Sequence, residues 1–346
     1  MEGPPRLSLK ELADGAADAG LLDGDGTVDT PLMAVALDDG DTATLRSAVR
    51  RARASERLLI GLLPGGDPAT ELVRALDLTL APPGTDAGRE AVTVDDPEAA
   101  LAGLHQAVTR NPLASLVLRD VLRTTETMPV PAALDVESYA YSTLLGGPEF
   151  ARWLGERAPR PLPPMVKDPV LVARDDPGTL RITLNRPERR NAYGRQLRDA
   201  LVDALRIALL DQGIDQVVLD ATGPAFCSGG DLDEFGTAPD LVTAHLVRTR
   251  GGAGRLLHRL AERTQAHLHG PCVGAGIELP AFAGTVTARP GSTFRLPEVS
   301  MGLIPGAGGT VSIPRRIGRW RTLHLALTGA PIDVPTARSW GLIDHS

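Results

Sequence analysis

The fold is decided by HGPCVGAGIELPAFAG (269–284) and, shortly after it, FRLPEVSMGLIPGAGGTVSIPRRIG (294–318). In both, a short apolar run breaks on glycines and a helical pattern follows. PAFCSGGDLDEF (224–235) repeats the arrangement upstream. A junction from strand through glycine to helix leaves backbone N–H groups unpaired at the positive end of the helix dipole. Such a point can hold an anion or a developing oxyanion. One junction alone is commonly just a tight turn, whereas three in succession between residues 224 and 310 point to a shared site. Two carboxylates sit inside them with no cation immediately beside them in sequence: Glu278, after Gly274-Ala275-Gly276, and Glu298, between Pro297 and Val299. A carboxylate in apolar surroundings has its pKa raised and can exchange protons near neutral pH. The plainer role for a glutamate at a helix start is to complement the dipole.

Working outward, VLVARDD (170–176) and TLRITLNR (179–186) read as a hairpin around Pro177-Gly178. RQLRDALVDALRIALLD (195–211) carries Leu197, Leu201, Ala204, Leu205 and Ala208 on one helical stripe, and DQVVLDATG (215–223) is a short strand. One basic, His-rich helix is expected over 239–263, a helix from IELPAFAG, two short strands in TVTARPGSTFRLPEV, and a last helix in GGTVSIPRRIGRWRTLHLALTG. Upstream, RAPRPLPPMVKDP (157–169) has five prolines, which forbid a regular helix. The chain is therefore expected to divide into residues 1–160, a Pro-rich linker at 161–169, and residues 170–346. In the first part LMAVAL (32–37), RLLIGLLPGG (57–66), ALDLTLA and AVTVDD read as strands and TLRSAVRRARAS (44–55) as a helix. From Pro97 to Arg157 the pattern is helical, broken at Pro112, Pro129-Val130-Pro131 and Gly146-Gly147. This part pairs no acidic residue with a glycine turn, so it reads as a structural cousin of the second part and not as a second active centre.

With LNRPERRNAY, AFCSGGDL, the two deciding stretches and ALTGAPIDVPTARSWGLID assembled, residues 168–346 resemble the crotonase (enoyl-CoA hydratase/isomerase) superfamily. The resemblance implies an α/β fold, with a crotonase-like repeated β-β-α spiral in the C-terminal half. The α/β to helical N-terminal half looks like a degenerate crotonase-like accessory domain. It implies an oxyanion hole for a thioester carbonyl, mapping by position to the amides of Ser228 and Ala275. It implies two catalytic glutamates, Glu278 as the base for water and Glu298 as the acid at the α-carbon. It maps backbone contacts to coenzyme A onto Arg190, Asn191 and Ala192. No cofactor is implied beyond the coenzyme A of the acyl-CoA substrate, and the resemblance suggests a homotrimer or dimer of trimers. The sequence departs from the family at Ala275, often glycine there, and at Gly284, often aspartate. The family also continues past the GLID segment with helices that roof the pocket. Residues 97–160 resemble those helices, and so the N-terminal half is expected to supply the cover.

The composition fits this reading. A formal charge of −7 argues against nucleic acid or anionic membrane as partner, and 42% apolar with 23% charged residues is ordinary for a globular protein. Cys227 and Cys272 give no disulfide framework, the start has no apolar signal region, and no apolar run is long enough to span a bilayer; a cytoplasmic protein is expected. His267 and His269 share a strand face without a third ligand, so no metal site is expected. Cys227 has no His partner and reads as packing. His245, Arg248, Arg255, His258 and Arg259 read as a solvated or subunit-facing cluster, or as contacts to coenzyme A phosphates. The expected activity is hydration of a 2-enoyl-CoA. The alternatives are double-bond isomerisation or another crotonase reaction, and a coenzyme A thioester-binding subunit without turnover.

Overall fold

A computed structural model of the chain describes residues 3–37, 40–64, 70–85, 88–158 and 160–345. Its architecture is mixed α/β. The N-terminal part is a five-stranded parallel sheet of Arg6–Leu7, Leu32–Ala36, Leu58–Leu62, Leu78–Ala81 and Ala91–Thr93, in that order. These strands are apolar on both faces because both are covered, as expected for parallel sheets. Met33, Val35 and Leu59 face Leu9, Leu12, Val49 and Ala52 of the flanking helices, while Leu32, Ala34, Leu58 and Ile60 face the main core. The helices Pro97–Arg110, Pro112–Thr125, Val130–Leu145 and Pro148–Gly155 follow, each begun by proline in its first turn. Proline is tolerated there because the N–H it lacks has no intrahelical acceptor.

The C-terminal part opens with the antiparallel hairpin Val170–Asp176 and Thr179–Leu184. Thr179–Leu184 then pairs in parallel with Gln216–Ala221, which pairs with Thr264–Leu268 and so with Thr285–Ala288. A smaller sheet joins Pro271–Val273, Thr293–Arg295 and Ile332–Asp333. Two expectations are corrected. The helix over 239–263 is two helices, Leu241–Arg250 and Gly254–Arg259, because Gly251 and Gly252 disfavour helix and a side chain at Gly252 would collide with the Arg248 carbonyl. The IELPAFAG helix is one turn, Ala275–Glu278, followed by a 3-10 turn at Pro280–Phe282, since Pro280 cannot continue the hydrogen-bond ladder.

The helix Gly309–Thr328 ties the two parts together. It is interrupted at Gly318 (φ 83°, ψ 156°), against which Arg89 lies, donating from Nη2 to the Pro314 carbonyl at 3.0 Å. The Trp320 indole donates to the Leu76 carbonyl at 3.1 Å. Asp77, fully buried, accepts from the Leu59 amide at 2.9 Å and from Arg123 at 2.7 Å, with Arg119 and Arg319 close by. Leu116, Leu118, Leu134, Leu144 and Phe150 share one hydrophobic cluster with Val299, Leu303, Val311 and Leu325. Among the described residues no helix is long and apolar enough to cross a membrane.

This packing predicts the behaviour of a fragment spanning 166–346. Without Pro112–Gly155 the apolar face of Gly309–Thr328 is bare, and such a face drives association. The fragment is expected to aggregate or be inactive, with partial recovery when residues 1–165 are added in trans. A soluble, monomeric and fully active fragment, seen by size exclusion and assay, would contradict the packing argument.

Candidate active site

Glu278 ends the turn that starts after Gly274, whose φ of 51° and ψ of −121° suit glycine. A side chain at Gly274 would also collide with the Glu298 carboxyl, so this glycine leaves room for the second acid. Glu278 is only 2% exposed, and its Oε2 accepts from the amides of Ala307 at 2.7 Å and Gly309 at 2.9 Å. Burial pushes its pKa up to about 7, while those two N–H donors hold it down. Glu298 stands in a 3-10 turn, Glu298–Met301, 9% exposed, and its Oε2 has no hydrogen-bond partner among the described residues. Burial, and then the charge of Glu278, raise its pKa well above the ordinary carboxylate range. The two acids expected from sequence therefore share one site, but in unlike states. Hydrogen bonds to a carboxylate favour the ion, and burial without donors favours the neutral acid.

A third carboxylate was not anticipated. Glu137, on Val130–Leu145, is 2% exposed and accepts from the amides of Gly308 at 2.8 Å and Thr310 at 2.9 Å, and from the Thr310 hydroxyl at 2.7 Å. Burial, and then Glu278, push its pKa up to about 8. Its signal was present: Val130, Ala133, Leu134, Glu137, Ser138 and Tyr141 recur at helical spacing, so a glutamate lies on the apolar stripe.

Glu278 and Glu298 line a cavity of about 480 Å3 together with Ala275, Gly230, Gly306 and Ala307. Tyr141, Leu145, Phe150 and Leu154 from the N-terminal part wall it, together with Phe235 and Leu241. The expected cover is thus supplied within one chain. Ala275 and Gly230 each present a backbone N–H without a partner among the described residues. Ser228 differs from expectation: its N–H donates to the Arg190 carbonyl at 3.0 Å, so it is not free to bind a thioester oxygen. Arg190, Asn191 and Ala192 are not on the cavity wall either. Arg190 and Asn191 adopt left-handed φ of 51° and 54°, and all three amides close local turns. The Asn191 side chain, fully buried, accepts from the Arg186 amide at 2.7 Å and donates to the carbonyls of Thr222 and Ala225. The residues that follow, Tyr193, Gly194 and Arg195, do reach the wall.

The basic cluster expected to be solvated is largely packed against Val130–Leu145. His245 is buried and stacks on Tyr139, Arg255 binds Asp135 at 2.6 Å, and Arg248 lines the cavity; His258 and Arg259 are exposed. The Cys227 thiol is buried and pushed up to about 12, unlike a nucleophile. His269 meets the Gly223 carbonyl at 2.9 Å and His267 the Thr287 hydroxyl at 3.0 Å.

Residues 175–346 match the family described as enoyl-CoA hydratase/isomerase. An enoyl-CoA isomerase/hydratase of Mycosarcoma maydis is 34% identical, over 49% of this chain and 65% of its own length. A 1,2-epoxyphenylacetyl-CoA isomerase and a 2,3-dehydroadipyl-CoA hydratase, both of Escherichia coli K12, are each 33% identical, over 50% of this chain and 68% and 67% of their own lengths. The matched region spans about half of this chain and about two thirds of these relatives. A solved enoyl-CoA hydratase of Mycobacterium smegmatis is 28% identical with a TM-score of 0.48, over 52% of this chain and 70% of that one. The chain belongs to the enoyl-CoA hydratase/isomerase family, the crotonase superfamily.

The state of Glu137 has a measurable consequence. Its folded pKa lies above its ordinary value of 4.5, so the folded chain keeps a proton that the unfolded chain releases. That contribution to stability is complete below about pH 4.5 and is lost as pH rises through about 8. Glu137→Gln cannot titrate. The stability advantage of wild type over this variant is therefore expected to shrink between pH 5 and pH 8 in thermal or urea melts. A gap that is constant with pH would show that Glu137 is ionised throughout.

Proposed function

We propose that the chain hydrates 2-enoyl-CoA thioesters, with Glu278 as base and Glu298 as acid. The carrying observation is the contrast between the two acids: Glu278 accepts two N–H bonds, whereas Glu298 Oε2 has no partner among the described residues. In this reading the thioester oxygen accepts from the Gly230 and Ala275 amides. Water gives a proton to the Glu278 carboxylate while its oxygen bonds to Cβ. The alkene electrons move to the thioester oxygen as an enolate, and Glu298 delivers its proton to Cα. Two fixed donors on that oxygen stabilise the charge as it develops, and loss of one such donor typically costs about 3 kcal/mol of barrier. Leu145, Phe150, Leu154 and Phe235 provide apolar wall for the carbon chain.

Activity on crotonyl-CoA is expected to follow a bell-shaped pH profile. It rises as pH climbs through about 7, where Glu278 ionises, and falls at higher pH as Glu298 loses its proton. Glu278→Gln and Glu298→Gln should each lower kcat by about a hundredfold or more with little change in thioester affinity. Near-normal turnover in either removes that residue from the mechanism. Recovery of only a shifted double bond, with no hydroxyacyl product, would replace hydration by isomerisation.

The carbonyl clamp has its own test. Ser228→Ala should be nearly silent, while Gly230→Pro, which deletes the amide donor, should abolish turnover in a protein that still melts cooperatively. Full activity of Gly230→Pro would return the oxyanion contact to another amide.

A further inference from the structure

Arg248 is the observation that the mechanism leaves unused. It lines the reaction cavity and also a small adjoining cavity of about 50 Å3, bounded by Glu137, Gly306, Ala307 and Gly308. It therefore stands beside the turn that holds Glu278. Its position is fixed. Nε donates to the Ser138 hydroxyl at 3.1 Å, Nη2 donates to the Ser138 carbonyl at 3.3 Å and to the Ser142 hydroxyl, and the guanidinium lies 4.6 Å from the centre of the Tyr141 ring. Nη1 has no partner, and no carboxylate pairs with Arg248, among the described residues.

The nearest acid makes no hydrogen bond to it. Both oxygens of Glu137 are taken up by the Gly308 and Thr310 amides and the Thr310 hydroxyl. Arg198, the other cation common to both cavities, is already paired with Asp199 at 2.7 Å. A permanently charged guanidinium, clamped on one edge and free on the other, wants an anion with planar geometry. Burying such a charge unpaired is costly unless a ligand completes it.

Resting on the hydratase reading above, we propose that the preferred acyl group carries a carboxylate, bound by the free edge of Arg248. The phosphates of coenzyme A are the other source of negative charge. They are separated from the thioester by the long pantetheine arm, whereas Arg248 borders the turn that positions the reacting acid. The two sources are distinguished by substrates that share coenzyme A and differ only in the acyl end.

The test compares 2-pentenedioyl-CoA with 2-pentenoyl-CoA in turnover, and glutaryl-CoA with pentanoyl-CoA, which cannot be hydrated, in calorimetric binding. Wild type is expected to favour the carboxylated member of each pair at least tenfold, the scale of a hydrogen bond to a charged group. Arg248→Gln should erase that preference, and Arg248→Lys should retain part of it. Equal losses on both members of each pair would assign Arg248 to the phosphates and overturn the proposal. So would a wild type without preference, a result that does not depend on any variant folding. If glutaryl-CoA binds preferentially while neither enoyl thioester is hydrated, the acyl assignment stands and the hydratase reading falls.

Discussion

The first amides of a helix have no acceptors within it, and here the turn Gly306–Thr310 shares them between two acids. Ala307 and Gly309 donate to Glu278, and Gly308 and Thr310 donate to Glu137. Successive N–H groups point to opposite sides, so a carboxylate on each side satisfies all four. Gly309–Thr328 is capped by these side chains, with no capping side chain of its own at Gly308. The dependence runs both ways. The helix start needs the acids to satisfy its donors, and Glu278 needs the donors to be ionisable near neutral pH despite its burial. Glu298, whose Oε2 has no such donor among the described residues, has its pKa raised well above the ordinary carboxylate range. The different settings of two chemically identical side chains thus follow from where one helix begins.

Much of this was legible in the sequence, because glycine and proline punctuation is local. The hairpin at Pro177-Gly178, the strands of both parts other than Arg6–Leu7 and Ile332–Asp333, and the helix breaks at Pro112, Pro129 and Gly146 fall where the residues indicate. The pairing of Glu278 with Glu298 was also accessible, from two glycine junctions each carrying an acid. The choice of amide in the first junction was not. Whether Ser228 or Gly230 offers a free N–H depends on a carbonyl brought from Arg190, across a turn made by two residues in left-handed conformation. Spacing along the chain carries no information about such a partner. The basic cluster was legible only at His258 and Arg259, for a similar reason: which face of Leu241–Arg250 is solvated depends on Val130–Leu145, far away in sequence.

The family match covers residues 175–346, yet the site does not end at its border. Glu137 supplies half the acceptors for the glycine turn, Tyr141 packs against Gly306, and Phe150 and Leu154 form cavity wall. Arg248 lies within the matched region but is held by Ser138 and Ser142 from outside it. The aromatic cluster of Phe150, Trp153 and Phe235 joins the two parts at the cavity edge. Each of these contacts replaces water with a neighbour from the other part, so the candidate site and the packing share the same residues.

The order in which the chain leaves the ribosome acquires a meaning from Glu137. Its partner Thr310 is synthesised 173 residues later. Until then Val130–Leu145 carries a glutamate on its apolar stripe, which can stay solvated and ionised and so resists premature collapse of that face. Contacts of such long range slow folding and expose intermediates to aggregation. When the glycine turn finally arrives, the acid must lose its water and gain its donors in the same event. A nascent chain that has not yet reached the turn cannot hold the finished site.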